Sequence, residues 1–175
     1  MQPKHWGGFS MIELMVVVLL ASIIMNIAVP SLVSIYNRIT FESLQKNLIS
    51  HLSFARAEAL KQGSDVSLCP SADGATCLSS SSNWKDGWLI FLDINGNGSF
   101  DASDDELIKG TASPSIANIF WTNTTNPTFQ GDGTVMAGRA GSMKICDFNG
   151  DYTVIRGVTV STFGRITEDN TVTCP

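Results

Sequence analysis

Between Met11 and Val29 the chain reads MIELMVVVLLASIIMNIAV, an apolar run broken by one charge, Glu13, and one further strongly polar side chain, Asn26. Counted from Phe9 the run is 21 residues long, roughly 31 Å as a helix at about 1.5 Å per residue. That length matches the ~30 Å hydrocarbon core of a bilayer. The run predicts a membrane-spanning helix over residues 9–29. It leaves about 145 residues for a globular part, enough to bury a core.

Composition excludes several classes. Hydrophobic residues are 43 % and charged residues 15 % of the 175, against about a quarter charged in ordinary domains. A disordered chain needs the reverse. The net charge is −5, so binding of nucleic acid over the whole surface, which calls for a basic protein, is excluded. All four cysteines, Cys69, Cys77, Cys146 and Cys174, follow the apolar run. No Cys-x-x-Cys or nearby His pair points to zinc. A tail exported across a membrane meets oxidising conditions, so two disulfides are expected. Four cysteines allow three pairings; proximity favours Cys69–Cys77, which leaves Cys146–Cys174.

The first residues, MQPKHWGG, do not read as an ordinary secretory signal, whose small-residue cleavage site follows the apolar stretch. Here Gly7 and Gly8 precede it. Cleavage after Gly8 would leave the apolar segment attached and starting at Phe9. The freed amine of Phe9 would then lie four residues before Glu13. Gly8-Phe9-Ser10-Met11-Ile12-Glu13-Leu14 resembles the prepilin signal of type IV pilins and type II secretion pseudopilins. That family has Gly before the cut, Phe as first mature residue and Glu as fifth, and often a helix-kinking proline where Pro30 stands. The resemblance implies a leader at residues 1–8, cleavage by a prepilin peptidase between Gly8 and Phe9, and N-methylation of Phe9. It also implies a single-pass subunit of the bacterial inner membrane with a periplasmic head. Such a subunit packs against other pilins through its helix, with Glu13 neutralising a neighbour's amine.

Pro30 is expected to bend or briefly interrupt the helix. Residues 30–62 read as an amphipathic continuation. Phe41, Leu44, Leu48, Leu52, Ala55 and Ala59 form one stripe by steps of three or four. Arg38, Glu42, Gln45, Lys46 and Glu58 lie largely off it. Gly63 reads as the stop. From there to residue 175 the pattern is short strands and turns. Val66–Cys69 alternates; Trp88–Leu92 and Leu107–Lys109 read as partners. Further strands are expected at 116–122, 142–146, 153–160 and 164–167. The fold class is therefore α+β: a long N-terminal helix packed on an antiparallel, β-rich head. Arg56-Ala-Glu-Ala-Leu, Val66-x-Leu68-Cys69, Trp84-x-x-Gly87-Trp88-x-x-Phe91-x-Asp93-x-Asn95-Gly96 and Thr162-Phe163-Gly164-Arg165-Ile166 resemble the GspH/FimT group of minor pilins and pseudopilins. That resemblance implies a minor component of a pilus or secretion filament, and not an enzyme.

Three features carry candidate chemistry. Asp93-Ile94-Asn95-Gly96-Asn97-Gly98-Ser99-Phe100-Asp101-Ala102-Ser103-Asp104 follows the spacing of an EF-hand calcium loop, with Asp93, Asn95, Asn97, Ser99, Asp101 and Asp104 as candidate ligands and Gly at position 6. Its last position is Asp rather than Glu, and no helices flank it. The alternative is a hairpin turn, which Asn-Gly favours. Calcium is the candidate cofactor, and none is required by the fold. Arg165 raises DNA, because FimT-like minor pilins of DNA-uptake systems carry Gly-Arg-x-Arg. Here Gly164-Arg165-Ile166-Thr167 lacks the second Arg. From Gly63 onward six basic residues face thirteen acidic ones, a net −7, which disfavours phosphate binding. A strand Arg paired with an acid is the alternative. Catalysis has little support, since His51 has no evident partner. Asp104-Asp105-Glu106 reads as a solvated turn, and Trp84, Trp88 and Trp121 as core aromatics.

Overall fold

The computed structural model describes residues 10–78, 83–113, 116–148 and 155–174, without the side chains of residues 27–31. Gly8 and Phe9 lie outside the described residues, as does the Pro30 side chain. The chain divides into two units, residues 1–39 and residues 40–175.

In the first unit the described residues after Ser10 belong to α1, which runs from Met11 to Gln62. Leu14 N–H opens it by donating to Ser10 C=O at 3.2 Å. The expected interruption at Pro30 does not occur: the helix passes through that position unbroken. A proline deletes only one ladder bond of its own, and the neighbouring i to i−4 bonds carry the helix on. Among the described residues no helix is long and apolar enough to cross a membrane. The described apolar stretch ends at Asn26, and both ends of the expected 9–29 span fall outside it.

Among its described residues the second unit holds the last turns of α1 and eight strands: β1 (Val66–Pro70), β2 (Gly87–Leu92), β3 (Glu106–Ala112), β4 (Asn118–Trp121), β5 (Thr128–Phe129), β6 (Gly141–Cys146), β7 (Arg156–Val160) and β8 (Ile166–Glu168). They form two antiparallel sheets, ordered β3-β2-β1-β5 and β4-β6-β7-β8. The stripe Phe41, Leu44, Leu48, Leu52, Ala55 and Ala59 is at most 5 % exposed. It shares one core with Val66, Leu68, Trp88 and Ile90 of the first sheet and Ile119, Met143, Ile145 and Val158 of the second. Small residues late in the stripe allow close approach. Gly63 closes the helix at φ +64°, its N–H donating to Ala59 C=O at 2.9 Å, a left-handed cap that glycine takes without strain.

Some expectations need correction. β1 does not alternate: all five residues are buried. Its Cys69 forms a second cluster with Leu89 and Phe91 of β2, against which Cys77 and Phe100 pack. Gln45, placed off the stripe, is 3 % exposed and donates to Gly157 C=O at 2.7 Å and Asn170 Oδ1 at 3.2 Å. The last strand starts at Ile166 rather than Gly164. A single 3-10 turn, Trp84–Asp86, and the two-residue β5 were not anticipated. Asn83 caps that turn by accepting from Lys85 N–H, accepts again from Ile119 N–H of β4 at 2.9 Å, and donates to Asn118 Oδ1 at 2.6 Å.

Cys69 is joined to Cys77, with Cα atoms 5.6 Å apart, and Cys146 to Cys174, with Cα atoms 6.0 Å apart.

Candidate functional site

The first candidate site is the N-terminal part of α1. From Met11 to Met25 the large apolar side chains are 51–83 % exposed on every side of the helix. A helix apolar all round is one that something must bury. Its polar residues are prepared for that. Ser22 Oγ–H donates to Leu19 C=O at 2.7 Å, and Asn26 Nδ2–H to Ser22 C=O at 2.7 Å. These donors are spent on the helix itself, which lowers the cost of an apolar surrounding. Leu14, Met15, Val18, Leu19 and Ser22 line a shallow groove of ≈ 400 Å³. Glu13 stands exposed in the first turn, where the positive end of the helix dipole favours an acid.

The second is the turn after β2. Asp93 is 2 % exposed. Its Oδ2 accepts from Ser67 Oγ–H at 2.6 Å and Gly98 N–H at 2.9 Å, with the Arg139 guanidinium at 3.9 Å. Ser67 and Thr128, both fully buried, share a hydroxyl bond of 2.6 Å. Arg139 donates to Thr128 Oγ1 at 2.6 Å and to Gly96 C=O at 2.9 Å. Asn95 Oδ1 accepts from Asn97 N–H, and Asn97 Oδ1 from Ser99 N–H. Asn97 Nδ2 donates to Asp101 Oδ2 at 3.1 Å. Asp105, one residue past the last predicted ligand, closes the loop by accepting from Ile94 N–H and Asp101 N–H, both at 2.9 Å. Among the described residues no three His, Cys, Asp or Glu side chains gather closely enough to hold a metal by themselves. Arg139 was not singled out from the sequence, because a lone Arg in a turn-rich segment looks like any surface cation.

Arg165 lies in the turn before β8, exposed beside Phe163, which is 80 % exposed. Among the described residues it forms no ion pair, so the expected strand Arg with an acidic partner is not what the fold provides. Instead the segment Thr162–Ile166 is held by Arg56. Arg56 Nε–H donates to Gly133 C=O at 2.9 Å, and an Nη2 hydrogen points to Phe163 C=O at 3.4 Å. Gly164, at φ +72°, packs on Gly133 C=O and the Arg56 side chain with no room for a Cβ. Two motifs 107 residues apart thus meet at one contact.

His51, for which the sequence offered no partner, is 7 % exposed. Trp88 indole N–H donates to its Nδ1 at 3.1 Å, and the Lys109 ammonium lies 2.9 Å from its Nε2. Burial, and then the Lys109 charge, push its pKa below the ordinary 6.5. Among the described residues no ion pair joins this buried histidine to a carboxylate. Trp84, Trp88 and Trp121 are buried, as expected.

The arrangement has solved counterparts. The chain is similar in structure to the type IV minor pilin FimU of Pseudomonas aeruginosa, with TM-score 0.58 and 24 % identity over 76 % of this chain and 90 % of that one. It is also similar to the minor pseudopilin EpsH of the Vibrio cholerae type 2 secretion system, with TM-score 0.51 and 11 % identity over 74 % of this chain and 95 % of that one. No curated protein sequence matches the chain. Residues 45–164 match the family described as Type II transport protein GspH. The matched stretch runs from the buried part of α1 to the Gly164 contact and covers well over half of the sequence, and on that ground the chain belongs to the GspH family.

Proposed function

We propose that this chain is a minor pilin or pseudopilin subunit of a type IV pilus or type II secretion system, incorporated into a filament or priming its assembly. The carrying observation is the all-round exposure of Met11 to Met25, an apolar surface that the described residues leave uncovered. The prepilin peptidase cuts between Gly8 and Phe9 and the Phe9 amine is methylated. Residues 9–29 hold the subunit in the inner membrane, with the head in the periplasm, until the helix slides into a bundle of like helices. Pro30 lies at the end of that segment. Inside the bundle the Phe9 amine and Glu13 carboxylate pair between neighbours, because an unpaired buried charge costs several kcal/mol and a paired one much less.

The test is incorporation. Glu13→Gln keeps cleavage and membrane insertion but lowers the amount of this protein in sheared filaments relative to membranes. Glu13→Leu does the same although it is more apolar, which separates charge pairing from hydrophobicity. Wild-type incorporation of both variants overturns the pairing. Intact mass of the membrane-extracted protein checks processing: a mature chain beginning at Met1 refutes it.

A further inference from the structure

We propose that the loop from Asp93 to Asp105 is a calcium site anchored on Asp93 Oδ1. The proposal concerns the head alone and stands or falls independently of filament assembly.

The starting point is an imbalance within one carboxylate. Asp93 Oδ2 receives Ser67 O–H, Gly98 N–H and the approach of Arg139. Among the described residues, Oδ1 of the same group is shut off from solvent and has no hydrogen-bond partner. A carboxylate offers about four lone-pair positions, and leaving a buried acceptor unserved costs about 1–3 kcal/mol, more for a charged group. Buried polar atoms are rarely left so. Arg139 does not repair this. Its donors go to Thr128 Oγ1 and Gly96 C=O, and its nearest approach to Asp93 is on the Oδ2 side at 3.9 Å. The Gly98 bond ties the carboxylate to the turn that carries Asn95 and Asn97.

The rest of the loop supplies what a hard cation needs. Asn95, Asn97 and Asp101 follow Asp93 at the third, fifth and ninth positions. The side-chain oxygens of Asn95 and Asn97 each accept one backbone N–H, and an amide oxygen keeps a second lone pair. Asp101 is steadied by Asn97 Nδ2. Asp105 pins both arms of the loop through Ile94 and Asp101 N–H. Calcium takes six to eight oxygens, mixing carboxylates with amide and backbone carbonyls in flexible geometry, whereas magnesium demands a near-ideal octahedron. A loop of few acids and several neutral oxygens suits the first. The shortage of convergent acids sets the affinity in the weak range of extracellular modules, on the order of 10⁻⁴–10⁻³ M.

The experiment is thermal unfolding of the full chain in detergent, titrated with calcium chloride from a chelated start and, in parallel, with magnesium chloride. The midpoint rises with calcium and continues to rise with the logarithm of its concentration above Kd. Magnesium gives a clearly smaller shift. Asp101→Ala, at an exposed position, keeps the wild-type midpoint in chelator but raises the calcium Kd by at least the roughly tenfold that loss of even a supporting partner costs. Asp93→Asn abolishes the shift; because Asp93 also holds Ser67 and Gly98, that variant counts only if its chelated midpoint shows it folded, and Asp101→Ala decides otherwise. No calcium-dependent shift up to about 10 mM, ten times the weak limit for such modules, overturns the site. An equal shift with magnesium, or an unchanged Kd in Asp101→Ala, overturns it as well.

Discussion

Residues 11–26 and residues 41–59 belong to one helix and solve opposite problems. In the first stretch every large apolar side chain is more than half exposed; in the second the six-residue stripe is at most 5 % exposed. The difference lies in how much of the helix surface is apolar: Glu13 is the one charge in the first stretch, whereas Glu42, Lys46, Arg56 and Glu58 interrupt the second. The second stretch concentrates its apolar residues at steps of three and four, so one face suffices for the sheets of the head. The first has them on all faces, and no single sheet could cover it. One helix thus carries a face completed within the chain and a cylinder that awaits completion from outside.

The sharpest way to break this contrast is a pair of matched truncations. Leu52→Ala, at a fully buried position, should cost about 2–5 kcal/mol of head stability by lost burial and cavity formation. Leu19→Ala should change it by less than about 0.5 kcal/mol, as at an exposed site, yet reduce filament content. Urea unfolding and the sheared-filament assay read the two sides; equal destabilisation by both would erase the distinction. Next in size are the disulfides. Opening Cys146–Cys174, a separation of 28, should destabilise by about 3.5 kcal/mol on the chain-entropy relation, and opening Cys69–Cys77, a separation of 8, by about 2.5 kcal/mol. Paired Cys→Ser variants under non-reducing conditions test the order, and neither should disturb the first stretch of helix.

A smaller effect comes from His51. Its folded pKa is below its unfolded value near 6.5, so the unfolded chain takes up the proton first as pH falls. Its contribution to stability is complete above the unfolded pKa. It declines as pH drops through 6.5 and levels off below the folded pKa. Urea midpoints at pH 7.5 and 5.5 should differ less in His51→Gln than in wild type. The smallest expected effect is Arg165→Ala. With the head at net −7 from Gly63 onward, gel-shift affinity for DNA should be weak in wild type. If a strong shift appears and the variant loses it, Arg165 binds DNA in spite of the charge count.

What the sequence disclosed was what lies close together along it. The prepilin-like signal occupies a few consecutive residues, and the stripe from Phe41 to Ala59 repeats within one helix. Strands β2 and β3 were recognisable as partners because a turn-rich segment joins them. What escaped was decided at a distance. Gln45 is buried by a bond to a residue 112 positions away. Ser67 reads as the wet side of a strand until Thr128 and Asp93 enclose it. β5 has only two residues, too short for any periodicity. The loop ligands were legible as spacing, whereas Arg139 and the unserved oxygen of Asp93 emerge only when the strands are assembled.

Asn83 has a consequence for how safely such a head can be crowded. β4 is the outermost strand of its sheet, and an unpaired outer strand is a template onto which another copy can add. The Asn83 side chain already occupies Ile119 N–H and anchors Asn118. The amide thus acts as a one-residue guard against runaway strand addition. Many heads packed side by side would keep their backbones to themselves along this edge, leaving association to the surfaces meant for it.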